Sequence, residues 1–541
     1  MQMSLHKFTF VLLLLSIAAI GSAQQQQGKG IGNEDVIVVK EYEATIQDAQ
    51  KINIPPNIPE VEETKPSLDY TIPQHDYKDI AFEANPLKPL AMSKEKLESF
   101  NSSYIKVGFG SQLMPLAELA YNDDKTKNLK FGFYYDHLSA KGYTIHNQQF
   151  SDDLAGAYLK YFPKKFEIGV DLSFHNYRTH FYGTDSFYTE KQARQALRTY
   201  NALVYFKNAR PNKLGIDVKQ TLDFNYFQER YGGAYEWYFD GQTNLQKSFL
   251  KYHAVTLDVN FDVSQFNNTL FFQDRSLVTP LLGYGFNNDD WKAHLKVGIT
   301  FDNGKPIFVC DAHVEKRLYE HAVIAYLSYV RTDQKNSLES FSYTNNFVQD
   351  NINLLNSVNG DLGLGIKGTA QNFSYNAAFH FNHLNNMPFF INDSIDLKRF
   401  LVVYDYSTLV FNFHYEAGYN IKEWLRLSIF GDYNDYVTKG ISQPFNEPNF
   451  RTTLRGDYIW KNKIKGWLEV YGISGATALL PDRYIVNLKG TADVNLGAEY
   501  LFNKHLSFFA MLNNIANIKY MRWYNYQGFG INGMIGGKFS F

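Results

Sequence analysis

Between Ala254 and Ser264 the chain reads AVTLDVNFDVS. Val255, Leu257, Val259, Phe261 and Val263 take every second position. Thr256, Asp258, Asn260, Asp262 and Ser264 take the others. Successive side chains of a strand point to opposite faces, so this segment is a strand with one apolar and one polar side. The same texture recurs in Glu167–His175 (EIGVDLSFH), Trp291–Asp302 (WKAHLKVGITFD) and Asp493–Tyr500 (DVNLGAEY). A soluble sandwich alternates in the same way, so the pattern alone leaves two architectures open.

The connections separate them. Short turns fall near FPKK (162–165), ARPNK (209–213), NDD (288–290), YEH (319–321), NIKEW (420–424), KNKIK (461–465) and NKH (503–505). Longer loops lie between, such as YTIHNQQFS (143–151) and the segment 335–360. Short turns at one end and long loops at the other are the asymmetry of an outer-membrane barrel. The apolar faces continue over nearly every strand, and the sequence offers no helices to cover them. Aromatic content is 16%, with 39 Tyr and 44 Phe in a chain of polar average, as expected when a polar lumen dilutes a lipid-facing surface. The expected fold is therefore all-β, a transmembrane antiparallel β-barrel over residues 103–541. Segment counting gives about 22 strands, within a range of about 16 to 22, at roughly ten residues per crossing.

Export fits this reading. His6 and Lys7 precede an apolar run, Phe8–Ile20, which ends at Gly21, Ser22 and Ala23. Residues 1–23 thus read as a signal peptide, and the barrel as a protein of the cell outer membrane. Cys310 is the only cysteine, which excludes an intrachain disulfide. A net charge of -2 argues against electrostatic binding of nucleic acid.

Residues 24–102 differ from the rest. Pro55, Pro56, Pro59, Pro66, Pro73, Pro86 and Pro89 break both helix and central strand, so the segment reads as an extended periplasmic or lumenal tail. Near its start, GNEDVIVVKEY (Gly32–Tyr42) carries Val36, Ile37, Val38 and Val39 on a β-prone stretch spanning 34–42. Such a stretch suits strand addition to a partner or to the chain's own lumen.

Tyr104–Asn122 (YIKVGFGSQLMPLAELAYN) resembles the opening barrel hairpin of TonB-dependent receptors. His505–Phe541 is similar to their last two strands, with Asn513-Asn514 and a Tyr before a Gly-rich closing strand that ends in Phe. The texture resembles members from the Bacteroidota. The resemblance implies an outer-membrane barrel, a terminal signal for the barrel-insertion machinery at Phe539 and Phe541, and a TonB box at 34–42. The chain departs from the family in one respect: residues 24–102 lack the strand pattern of a folded plug. Two functions follow. The first is a plug-less scaffold or partner subunit of a multi-protein outer-membrane complex for envelope assembly, export or surface lipoproteins. The alternative is a TonB-dependent or passive transporter for a nutrient. Expected partners are outer-membrane lipid and proteins of the outer membrane or periplasm, with TonB second to them.

Catalytic signals are scarce. GISGA (Gly472–Ala476) approaches a nucleophile elbow but lacks its last glycine and following helix. GFGSQL (Gly108–Leu113) lacks a nucleotide loop's third glycine. His380 and His383 are three apart on a strand and face opposite ways; His414 and Glu416 share a face but make only two ligands. No enzyme, metal or cofactor is expected. Trp424, Trp467 and Trp523 read as interfacial girdle residues. In NNMPFFIND (Asn385–Asp393), Met387, Pro388, Phe389 and Phe390 read either as an exposed contact patch or as a self-packed loop.

Overall fold

The computed structural model describes residues 103–541 except 124–125, 184–188, 210–211, 320 and 397. The signal peptide, the Pro-rich tail and Val36–Val39 lie outside the described residues.

Twenty-two strands form one antiparallel sheet. The first, β1 (Tyr104–Gly110), pairs with the last, β28 (Asn532–Ser540), from Tyr104↔Ser540 to Gly110↔Met534. The sheet is thus a closed barrel with no free edge, and every strand finds backbone partners on both sides. Ser103 and Phe541 exchange backbone hydrogen bonds at the short-turn end. The long connections gather at the opposite end.

Alternation works as expected, with the apolar face outside. On β9 (His253–Asn267), Val255 and Leu257 are exposed, whereas Asp258 and Ser264 are buried in the interior. On β28, Ile535 and Phe539 are exposed on the outer face. Register locates the upper edge of the apolar band. Across β3 (Leu129–Ala140), β4 (Phe150–Tyr161), β5 (Phe166–His180), β6 (Arg194–Asn208), β7 (Ile216–Glu229) and β8 (Tyr235–Phe249), one outward row reads Tyr135, Ala155, Phe174, Tyr200, Tyr226, Trp237. The next outward row reads His137, Asp153, Asn176, Arg198, Gln228, Tyr235. Aromatic rings give way to polar and charged groups in one step, as at a membrane–water boundary. Ten residues down β6, Asn208 marks the lower edge. At about 3.3 Å per residue and a tilt of about 40°, that path is about 25 Å tall, the height of an outer-membrane apolar band.

The interior face changes character near the long-loop end. Leu197 on β6, Phe227 on β7 and Phe266 on β9 occupy lumen-facing positions, yet each is fully buried. They meet loops that fold inward. Those loops carry a short helix, Leu338–Thr344, and three hairpins: β16 (Met387–Asn392) with β17 (Phe400–Asp405), β22 (Ala476–Leu479) with β23 (Ile485–Leu488), and β26 (Met521–Trp523) with β27 (Tyr526–Gln527).

Candidate functional site: a capped polar lumen

The inward loops share one apolar core. Phe341 of the helix meets Phe390 of β16 edge-on at 5.9 Å, and Phe390 meets Trp523 of β26 at 5.3 Å. Phe347 stacks on Tyr526 of β27 at 3.5 Å. With Leu197, Phe227 and Phe266 from the wall, these rings make a single buried cluster. Three connections far apart in sequence therefore close into one cap over the mouth of the barrel.

Polar contacts fix the cap to the wall. Ser337 caps the helix, its Oγ accepting the Ser340 N–H at 3.0 Å. Glu236 of β8 accepts the Leu338 N–H at 2.7 Å, placing a carboxylate at the helix N-terminus. Glu339 accepts the Thr199 hydroxyl at 2.9 Å and the Tyr238 hydroxyl at 3.1 Å. Tyr343 lies 2.8 Å from His175 Nδ1 and stacks on that ring at 5.2 Å. Burial pushes the Tyr343 phenol up to about 12, so it is protonated at neutral pH. Lys335, at the base of the same loop, pairs with Asp262 of β9.

The loops also hold one another. Arg399 binds Asp350 at 3.0 Å and the Val348 carbonyl at 2.9 Å. Asp405, fully buried at the end of β17, gathers the N–H groups of Gly440, Lys439 and Ile441 and the Thr408 hydroxyl. Burial disfavours its charge, but the Thr408 hydroxyl and then the three N–H donors outweigh that cost and hold its carboxyl below the ordinary value. The seat is less well satisfied than the core. Asn225 Oδ1, Glu236 Oε1 and Ser264 Oγ on the wall, and Ser342 Oγ and Asn345 Nδ2 in the loop, have no hydrogen-bond partner among the described residues.

Beneath the cap lies a cavity of ≈710 Å³, with Asp240, Asn260, Asp262, Thr279, Lys296 and Thr300 among its lining. Its charges pair across strands, as in Lys296–Asp258 at 2.8 Å. One row is unbalanced: Asp223, Asp240 and Asp262 stand directly opposite one another on β7, β8 and β9. Like charges at such positions repel. Lys335 answers that row from the cap, so closure of the loop and neutralisation of the wall are coupled.

Several expectations change at this point. The stretch Met387–Phe390 is not an exposed patch: Met387 and Pro388 are half-buried, Phe389 is fully buried, and Phe390 is 4% exposed, inside the cap core. The apolar run is sealed by the barrel wall and by loops distant in sequence, which fits the self-packed alternative. Trp523 is buried beside it. Trp467 faces the lumen, with the Arg455 guanidinium 5.1 Å over its ring, so neither is a girdle residue. Trp424, exposed beside Tyr458 at the short-turn end, keeps that place. Phe539 and Phe541 are exposed on the outer surface. His380 bonds Asp361 at 3.0 Å and His383 approaches Ser407 at 3.1 Å, separately. Among the described residues no group of three His, Cys, Asp or Glu side chains is arranged to hold a metal. Glu236, Lys335 and Tyr343 were not singled out from sequence. Phe227 and Phe266 left a trace there, as apolar residues on the polar side of their strands.

No family model matches the sequence, and no curated protein does. Solved structures do match it in shape. The FrpB iron transporter from Neisseria meningitidis aligns with a TM-score of 0.64 at 11% identity, over 81% of this chain and 81% of its own. The siderophore receptor PirA from Acinetobacter baumannii gives 0.63 at 9% identity, over 81% and 80%. The ferric-catecholate import receptor Fiu from E. coli K12 gives 0.62 at 12%, over 81% and 82%. The chain has the barrel fold of these receptors. At such identity the likeness is one of fold alone, and it reaches four-fifths of both partners. It agrees with the architecture expected from the opening and closing hairpins.

Proposed function

We propose that the chain is an outer-membrane receptor that passes a hydrophilic solute through its lumen, with the interlocked loops as the outer gate. One observation carries this reading: a cavity of ≈710 Å³, lined mostly by polar side chains and with Lys335 of the cap loop at its margin, lies on the same wall to which a folded apolar cap is tied by a few polar contacts. A scaffold subunit has no use for either feature. Phe389 and Phe390, the two rings that could have anchored a scaffold's partner, are buried. The receptors and transporters that share the fold favour the same side.

The tail completes the proposal. Val36, Ile37, Val38 and Val39 would add as a strand to an energy-coupling partner of the TonB kind, and the Pro-rich segment behind them would transmit the pull. Phe539 and Phe541 would mark the closing strand for the insertion machinery. Deletion of residues 33–41 tests the coupling. Uptake of the solute should fall to background while the amount of barrel in the outer membrane stays constant. Unchanged uptake would leave a passive pore and remove the energised receptor.

A further inference from the structure

Immediately above the outer aromatic row, the outward face of the barrel turns basic around one alanine. Arg194 and Arg198 stand two positions before and after Ala196 on β6. Arg178 of β5 is its register partner. Arg230, at the end of β7, donates its backbone N–H to the Ala196 carbonyl at 3.0 Å. Leu197, Thr199 and Glu229 take the inward positions, so alternation turns Arg178, Arg194 and Arg198 outward, and Arg230, one residue past β7, is exposed opposite Ala196. Ala196 itself is 1% exposed.

Among the described residues one acid pairs with this cluster, Asp153, and it meets Arg178 alone. Asp153 is occupied by His137 at 2.6 Å and by Arg178 at 3.1 Å. Glu190 is mostly exposed and lies 3.9 Å from His180. Arg198 reaches only the Asn176 amide oxygen, at 3.4 Å. Among the described residues no carboxylate pairs with Arg194, Arg198 or Arg230. Crowded like charges favour an anion, and the planar guanidinium fork fits a phosphate with two parallel hydrogen bonds. Phe174, Tyr200 and Tyr226 lie in the row just below, on the lipid-facing side. An anion held here is therefore level with lipid headgroups.

We infer that Arg178, Arg194, Arg198 and Arg230 bind the phosphomonoester groups of a phosphorylated glycolipid in the outer leaflet. The inference rests on the outer-membrane reading, with the long-loop end facing outward. It places a lipid contact on the β5–β7 wall, which carries Thr199 of β6 to the cap and adjoins β8 with Glu236.

The test uses the full chain purified from outer membranes in mild detergent. Native mass spectrometry would follow retention of the phosphorylated glycolipid in the wild type, in Arg194→Ala/Arg230→Ala, and in a control, Lys164→Ala/Lys165→Ala, at the short-turn rim. Neither Arg194 nor Arg230 has a side-chain partner among the described residues, and heat-modifiable gel mobility verifies the folded barrel. The inference expects glycolipid on the wild type and control, and about tenfold weaker retention on the arginine variant. The same lipid stripped of phosphate should bind as weakly, and inorganic phosphate should not displace the lipid. Equal retention by wild type and arginine variant, equal binding of stripped lipid, or displacement by inorganic phosphate would overturn it. Fractionation is the separate check: a wild-type chain found outside the outer membrane overturns the location and the inference together, whereas a correctly located chain with indifferent arginines overturns the lipid site alone.

Discussion

Asp405 shows how one residue ties a loop to its neighbours. Its carboxylate collects the Thr408 hydroxyl and three backbone N–H groups from 439–441; burial disfavours its charge, but the hydroxyl and then those donors outweigh that cost and hold its pKa below the ordinary value. A depressed carboxyl contributes stability at pH above its unfolded value of about 3.9, and that contribution is lost as pH falls through the lower folded value. The protection factors of the Gly440 and Ile441 amides, taken relative to intrinsic exchange at each pH, should thus be high at neutral pH and fall below about pH 4. Asp405→Asn should weaken the same amides at neutral pH, by about 1–3 kcal/mol, because a neutral amide replaces a charged acceptor. Protection that is the same at neutral and acid pH would refute the assignment. Lys335 works in the opposite direction, from cap to wall. Lys335→Ala leaves Asp223, Asp240 and Asp262 facing one another and should open the cap by about 3 kcal/mol, about a hundredfold in population. At this scale the sequence was readable wherever alternation held, as in Val255–Val263. It left Phe389 and Phe390 open between an exposed patch and a self-packed loop, because a run of apolar residues in a loop carries no local sign of the distant wall that buries it.

The cap is an element made only by tertiary contact. The barrel strands announce themselves by period two over 7 to 16 residues, and turns such as NKH and NDD end them locally. The hairpin β16–β17 has six-residue strands with a proline in the first, and the helix has seven residues. Neither is stable alone at such length. Their order comes from Phe341, Phe390, Phe400 and Trp523 meeting Leu197, Phe227 and Phe266, contacts that no local pattern encodes. Phe227→Ala should accordingly loosen the cap without unfolding the barrel. Removing a buried phenyl ring costs about 3–5 kcal/mol, and the loss should appear as faster amide exchange in 338–344 while β11 (Trp291–Asp302) and β12 (Lys305–Tyr319) remain protected. Exchange that rises equally in the cap and in those strands would mean that cap and barrel are one cooperative unit, not a lid on a frame.

At the scale of the whole molecule, fold and location were open to reasoning from sequence and function was less so. A closed sheet in lipid must satisfy every backbone group, so strand count, alternation and loop asymmetry leave few architectures. Function depends on how loops fill the mouth, and that depends on side chains brought together from residues 197 to 526. The central claim is that the cap gates the polar lumen. Its most direct measurement is the labelling rate of a single cysteine at the cavity wall, Asn260→Cys, in a Cys310→Ser background, by a hydrophilic thiol reagent added outside intact cells. The rate should be slow with the cap intact and rise at least about tenfold with Phe227→Ala or Lys335→Ala. Equal rates in all three proteins would contradict the gate.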